Sequence, residues 1–372
     1  MTTEIISKLA GAVRAENWEA VVCLSPENIA YGAGFVVPSQ TLMRWRHAAL
    51  VITADGGVLM VCVDMEEATV RAARPDWEVR TWAEFTENAM IVLGKALADL
   101  GLDRSRIGVE LDYLPAASFA ELRAACPGAD FVSADHALTR SRRIKTADEI
   151  VRLATLSRIS DRAIKDAFAS VSAGDTEMDL AATLTRRVYE QGAQSFKLMI
   201  VATGERSQLP NVGPTTRALQ PGDVCRVEIF SVMDGYQAGV CRTAVVGEPS
   251  VEARQVYRNL SECKRIVLDA MTAGARACDV YTAYRRHFDS LGMPAIGFVG
   301  HGIGVNLHEA PYLSAQTTDE LEPNMVFGVE PLVYRSGHGF GMQIKDMVQI
   351  HADGAVLLSD VTDTTDLIRI EA

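Results

Sequence analysis

The chain has 372 residues, 48% hydrophobic and 23% charged, which suits two ordinary domains and excludes disorder, collagen and a disulfide-stapled miniprotein. Lys and Arg number 36 against 48 Asp and Glu, and the resulting net charge of −12 argues against nucleic acid or an anionic membrane surface as partner. Seven cysteines without a CxxC pair, no secretory h-region near Met1 and no apolar run of about 18 residues lead us to expect a reduced, cytoplasmic protein without zinc-ribbon or membrane-spanning segments.

Along the chain, Ala20-Val21-Val22-Cys23-Leu24 is a short apolar run, read as a strand that ends at Ser25-Pro26-Glu27-Asn28. The apolar runs 48–52 and 58–63 flank Asp55-Gly56-Gly57 and predict a hairpin. Asn88 to Leu100 has helical apolar spacing and stops near Gly101. Arg106-Ile107-Gly108-Val109-Glu110 is a further short strand, so the first part reads as a small α/β domain. Thr146 then precedes Glu149 by three residues, a capping-box spacing, and a long helix carrying Ile150, Leu153, Leu156, Ile159 and Ala163 follows. The expected domains are therefore 1–145 and 146–372.

The second domain contains a near-repeat. Ala173-Gly174, Asp179 and Gly192 recur as Ala273-Gly274, Asp279 and Gly292, each 100 residues later. Arg186-Arg187 and Arg285-Arg286 mark amphipathic helices in the two copies, each followed by apolar strand material. Two similar α+β halves with a site between them are expected.

Four stretches carry candidate chemistry. Gly300-His301-Gly302-Ile303-Gly304-Val305-Asn306-Leu307-His308-Glu309-Ala310-Pro311 sets two imidazoles around a glycine-spaced turn. Phe327-Gly328-Val329-Glu330-Pro331 ends an apolar strand on a lone carboxylate, a costly placement unless the acid is paired or used. Gly222-Asp223-Val224-Cys225-Arg226-Val227-Glu228 and Gly235 to Thr243 read as a two-stranded hairpin. Gln343-Ile344-Lys345-Asp346-Met347-Val348 is a strand interrupted by charge.

In their order and spacing, these stretches resemble the creatinase, prolidase and methionine-aminopeptidase superfamily. Arg143-Ile144-Lys145…Glu149-Ile150 is similar to the interdomain junction of its two-domain members, and Ser25 to Phe35 to their N-terminal domain. The resemblance implies an α/β creatinase-type N-terminal domain and an α+β pita-bread catalytic domain whose pseudo-two-fold duplication is the 100-residue repeat. It also implies five metal-ligand positions: two Asp on the hairpin, then His, Glu and Glu. Those positions hold Glu228, Gly239, His301, Glu330 and Lys345 here. Glycine offers no ligand and a charged lysine has no lone pair.

The departures point toward the metal-free branch with creatinase and ectoine hydrolase. The expected activity is metal-independent hydrolysis of a C–N bond (amidine, guanidino or amide) in a small zwitterionic metabolite. In that reading His301, His308, Glu330 and Glu228 are catalytic, with Cys241 as nucleophile or pocket wall. Arg46, Asn211, Tyr236 and Lys345 would bind substrate, Arg46 gripping a carboxylate across a homodimer boundary and Tyr236 sitting on the rim. No cofactor is expected; any divalent metal would take Glu228, His301 and Glu330. A metal-dependent Xaa-Pro dipeptidase or aminopeptidase and a non-catalytic pita-bread binding module are the alternatives.

Overall fold

The structure is a computed structural model and describes residues 2–372. The chain divides into two units, Met1–Arg142 and Arg143–Ala372, where the sequence pattern put the boundary at 145/146.

The first unit is built on β1 (Ala20–Cys23), β2 (Ala49–Thr53), β3 (Val58–Val63), β4 (Glu78–Trp82), β5 (Arg106–Val109) and β6 (Asp130–Ser133). Among the described residues these form one sheet in the order β4-β3-β2-β1-β5-β6. The Asp55-Gly56-Gly57 hairpin joins antiparallel β2 and β3, with Leu50 opposite Met60. Gly56 takes φ 93°, a left-handed conformation that favours glycine. The helix Ala89–Asp99 starts where its cap dictates, because Asn88 Oδ1 accepts from Met90 N at 2.8 Å. Its buried Leu93 and Leu97 pack with Val22, Val51, Val61 and Ile107 in one core.

One local expectation changes here. Ser25-Pro26 does end a strand, but it also opens the helix Pro26–Ala33, with Ser25 as N-cap. Glu110 holds this junction. Its buried carboxylate accepts from Leu24 N and Ser25 N at 2.8 Å each and from Asn28 Nδ2 at 2.6 Å.

The second unit shows the pita-bread duplication. Helices Ala147–Phe168 and Glu177–Glu190 accompany β7 (Ser195–Thr203), β8 (Val224–Met233) and β9 (Tyr236–Val246). Helices Val251–Ala270 and Ala277–Ser290 accompany β10 (Phe298–Gly302), β11 (Glu309–Ser314) and β12 (Val326–Val329). The chain closes with β13 (Leu332–Val333), β14 (Met342–Gln343), β15 (Asp346–His351), β16 (Gly354–Leu357) and β17 (Ile368–Ile370). Among the described residues, one sheet runs β17-β9-β8-β7, a second β11-β10-β12-β15-β16, and β13 pairs with β14.

The 100-residue repeat has a backbone counterpart. Gly174 N donates to Leu219 O and Gly274 N to Leu321 O, and both glycines have positive φ. The first helix has its capping box: Thr146 N donates to Glu149 Oε2 at 2.8 Å, and Glu149 N donates to Thr146 Oγ1 at 3.3 Å. Between the sheets, Cys241 and Lys345 form an isolated antiparallel bridge, with N···O distances of 3.2 and 3.1 Å. This bridge brings the β8–β9 hairpin to the start of β15.

Candidate active site and metal centre

Strand register assembles the site. On the antiparallel β8–β9 pair, Glu228 lies opposite Cys241 and Phe230 opposite Gly239. Residues two apart share a face, so these four positions look the same way. From the other sheet, His301 on β10 lies opposite Gly328 on β12. Glu330 follows β12 directly, and Lys345 lies between β14 and β15.

Lys345 is the centre of the cluster. It is 1% exposed, not a solvated strand-end lysine. Its Nζ lies 3.2 Å from Glu228 Oε1, 3.2 Å from Glu330 Oε2 and 3.1 Å from His301 Nε2. The Phe230 ring lies under it, 4.5 Å from Nζ to the centroid. Burial works against its charge, but Glu330 and Glu228 outweigh that and raise its pKa, so the ammonium is kept.

His301 Nδ1 lies 2.8 Å from Gly302 O, a carbonyl that only accepts, so the ring proton is assigned to Nδ1. That leaves the Nε2 lone pair facing the cluster. Glu330 Oε1 lies 3.2 Å from the same Nε2 and, although buried, receives no hydrogen bond. Burial pushes the Glu330 carboxyl up, but the Lys345 ammonium outweighs it and holds the group well below the usual carboxylate range. Lys345 Nζ engages the Nε2 lone pair, so within this cluster Glu330 Oε1 is the buried acceptor left without a hydrogen bond.

His308 stacks on His301, with ring centroids 3.6 Å apart and planes 13° from parallel. Its loop is pinned from β9: Gln237 N donates to Gly304 O and its Nε2 to Val305 O, both at 2.8 Å. Buried Lys145 reaches Glu309 Oε2 at 3.2 Å and Glu309 Oε1 accepts from Asn306 N, so both arms of the loop are tied. Burial, with His301 and Lys345, pushes the His308 pKa down to about 4, leaving a neutral imidazole at neutral pH. Among the described residues, His301, His308 and Glu330 form a group whose ligating atoms all lie within 4.8 Å of one another.

Four further residues, Gln343, Arg226, Phe230 and Arg242, hold this set. Gln343 Nε2 donates to Glu330 Oε2 at 3.0 Å, while its Oε1 accepts from Arg226 Nη1 at 3.1 Å. That second bond fixes which end of the amide faces Glu330. Phe230 floors the cluster. The alternation of β8 puts 226, 228 and 230 on one face, a signal that could have found Arg226 and Phe230. Arg242, fully buried, donates to Lys345 O at 2.7 Å and pairs with Asp161 and Asp346, so it fixes the backbone that carries the lysine.

The remaining expected site residues lie elsewhere or are already committed. Cys241 is fully buried, and desolvation, then Glu228, push its thiol far up. An un-ionised thiol is a weak nucleophile. Tyr236 is not on a rim: it is 1% exposed and its hydroxyl donates to Glu149 Oε1 at 3.1 Å, because it opens β9 beneath the helix Ala147–Phe168. Arg46, in the first unit, makes a bidentate pair with Glu84 at 2.7 and 3.0 Å. Asn211 is exposed, on a loop whose Leu209 and Pro210 carbonyls accept from Arg226 Nη2.

Residues 152–352 match the model of metallopeptidase family M24, and residues 5–144 match that of the creatinase/prolidase N-terminal domain. The chain belongs to metallopeptidase family M24. It is 27% identical to a putative dipeptidase, YkvY, of Bacillus subtilis, over 95% of this chain and 97% of that protein. It is 25% identical to a Xaa-Pro dipeptidase of Lactobacillus helveticus, over 94% of this chain and 95% of that one. The crystal structure of dipeptidase PepE from Mycobacterium ulcerans superposes with a TM-score of 0.85 at 27% identity, covering 100% of this chain and 98% of that one.

Two expectations are corrected by these findings. The metal-independent hydrolase of an amidine or guanidino metabolite gives way, because the chain matches a metallopeptidase family and its relatives are named as dipeptidases. The expectation of no cofactor gives way for the same reason, and because His301, His308 and Glu330 form a donor set for a divalent ion. Two imidazoles and a carboxylate are a known catalytic-metal donor set. The unpartnered Glu330 Oε1 fits one ion there, which His301 Nε2 would join by giving up its 3.1 Å contact with Lys345 Nζ. The expected set Glu228, His301 and Glu330 is different: its atoms already converge on the Lys345 ammonium. The chain is a hydrolase of C–N bonds, and nothing in the matches supports creatinase-like specificity. Among the described residues, no helix is long and apolar enough to cross a membrane.

Proposed function

We propose that this chain hydrolyses the peptide bond of short peptides, with Xaa-Pro dipeptides the first class to test, using one divalent ion held by His301, His308 and Glu330. The observation that carries the reading is the His–His–Glu set, with His301 and Glu330 buried and His308 half-buried, and its unpartnered Glu330 oxygen. The relatives' names supply the substrate class.

When bound, such an ion would polarise the scissile carbonyl and lower the pKa of a water molecule. The chain's own residues make that chemistry local. The Gly302 carbonyl holds the His301 tautomer, so that the Nε2 lone pair faces the cluster, where it meets Lys345 Nζ at 3.1 Å until an ion displaces that contact. Gln343, itself oriented by Arg226, engages one oxygen of Glu330 and leaves the other free to ligate. The buried ammonium of Lys345 adds a fixed positive charge, which opposes negative charge developing on a reacting carbonyl oxygen. Glu228 and Glu330 keep that ammonium in place. A homodimer in the cytoplasm completes this reading, and light scattering on the purified chain measures the dimer.

The test is a dipeptide panel, Xaa-Pro and non-proline, run on protein stripped with chelator and reloaded with Mn2+, Co2+ or Zn2+. Hydrolysis that is lost on stripping and restored on reloading is expected. A loaded chain that cleaves no dipeptide refutes the activity.

A further inference from the structure

The Lys345 ammonium sits in a cradle of metal-ligand type. Two carboxylate oxygens and one imidazole lone pair converge on Nζ at 3.1–3.2 Å, and together they match the three N–H donors of an ammonium. Glu228 and Glu330 bring two negative charges to one point that a single positive charge only half neutralises. A Glu–Glu–His set of this kind is an ordinary set of ligands for a divalent ion.

The surrounding chain is shaped for the lysine. A Cβ at Gly328 would lie 2.9 Å from Lys345 Cε and 3.4 Å from His301 Nε2, so only glycine there lets the side chain pass. On the far side, any Cβ at Gly239 would collide with the Phe230 ring, which occupies the space that a side chain at 239 would need. That ring gives the ammonium its fourth neighbour. A glycine in each sheet and a phenyl face thus bound one cation, and the carbonyl of Lys345 is clamped by Arg242.

We propose that Lys345 is a resident cation: its ammonium permanently fills a metal position made by Glu228, Glu330 and His301, so that this site holds at most one divalent ion. Beside the ion proposed at His301, His308 and Glu330, the lysine would then do the charge work of a second one, and to that extent the inference rests on the proposed function. It also gives the ion a charged neighbour, because Glu330 borders both and the single Nε2 lone pair of His301 serves the ion only when Lys345 gives it up.

The test is ion stoichiometry on the full chain, stripped by chelator and titrated with Mn2+ in equilibrium dialysis read by elemental analysis. At most one ion per wild-type chain is expected. Lys345→Met should bind one more ion than wild type, or bind the same ion at least about tenfold more tightly, because a like charge a few ångströms away has gone. Lys345→Arg keeps the charge and should keep the wild-type stoichiometry. Two ions per wild-type chain, or a Lys345→Met chain that titrates as wild type does, overturns the proposal. The wild-type count decides even if a variant fails to fold. A wild-type chain that binds no ion, beside a Lys345→Met chain that binds one, upholds the resident cation and removes the one-ion reading. One bound ion without dipeptide hydrolysis removes the activity and leaves the lysine's role intact.

Discussion

Replacing Asp346 with asparagine should destabilise the second unit strongly, and the structure sets the size of the effect. Arg242 lies between Asp161 and Asp346, at 3.0 and 2.8 Å, and Lys264 Nζ meets the other oxygen of Asp346 at 2.9 Å. The side chains of Arg242, Asp161 and Asp346 are 0%, 0% and 1% exposed, and Lys264 is 12% exposed, so two positive and two negative charges balance almost without water. Asparagine preserves the shape and still accepts from Ser359, which sits 2.7 Å from Asp346 Oδ1. The substitution therefore removes charge rather than packing and leaves one buried positive charge uncompensated. Breaking one side of a buried ion pair costs about 3–5 kcal/mol. At roughly 2–4 °C per kcal/mol for a unit of this size, the melting point should fall by on the order of 10 °C. Hydrogen exchange should show protection lost first in β9 and β15. Adding Arg242→Met restores neutrality, so the double variant should be more stable than the sum of the single losses. A loss under about 1 kcal/mol for Asp346→Asn, or strict additivity, would refute the charge-balance account.

Acid provides a second readout of the same cluster. Burial pushes the Asp346 carboxyl up, but Arg242 and Lys264 outweigh it and hold the group below its ordinary value. The unfolded chain then takes up this proton at a higher pH than the folded one. Stability from Asp346 is complete above the unfolded carboxylate value, about pH 4, and is lost as pH falls toward the folded value. The asparagine variant should show a shallower loss of stability across that acid window.

The other expectations are narrower. Glu110→Ala leaves Leu24 N, Ser25 N and Asn28 Nδ2 without their acceptor and should cost about 3 kcal/mol. Urea unfolding followed by tryptophan fluorescence reads this directly, because Trp18, Trp45, Trp77 and Trp82 all lie before residue 143; an unchanged midpoint contradicts it. Gly239→Ala should lower the thermal midpoint by about 1–3 kcal/mol of stability through overlap with Phe230, and Phe230→Leu in the same chain should recover part of it. Gln343→Leu strips one of two partners from Glu330 Oε2 and the amide acceptor from Arg226 Nη1, and should weaken Mn2+ binding by roughly 10–100-fold. Unchanged affinity would show that Gln343 does not orient Glu330.

Features with local causes were legible in the residues. The capping box at Thr146, the Asn88 helix start and the Asp55-Gly56-Gly57 hairpin each depend on groups within four residues of one another, so short-range chemistry decides them. The 100-residue offset marked the two halves for the same reason: the glycines that end and begin helices recur with their backbone bonds. Ser25-Pro26 was only half legible, since a strand end and a helix start share those residue types until the buried Glu110 accepts both backbone amides. Tyr236 shows the same limit from the other side. Nothing adjacent to it in sequence shows that its hydroxyl will find Glu149, 87 residues away.

Residue identities alone established which groups stand at the five family positions and that two of them, Gly239 and Lys345, offer no ligand. They left open whether Lys345 faces water or the site, whether Cys241 can ionise and whether any donor set remains for an ion. The first of those points was decided when the Cys241–Lys345 bridge joined two sheets whose strands lie about 100 residues apart, burying the lysine against Glu228, Glu330 and His301. The charge of a side chain is written in its covalent structure. Its partners, its burial and hence its use depend on register and loop closure, which exist only once the chain has folded.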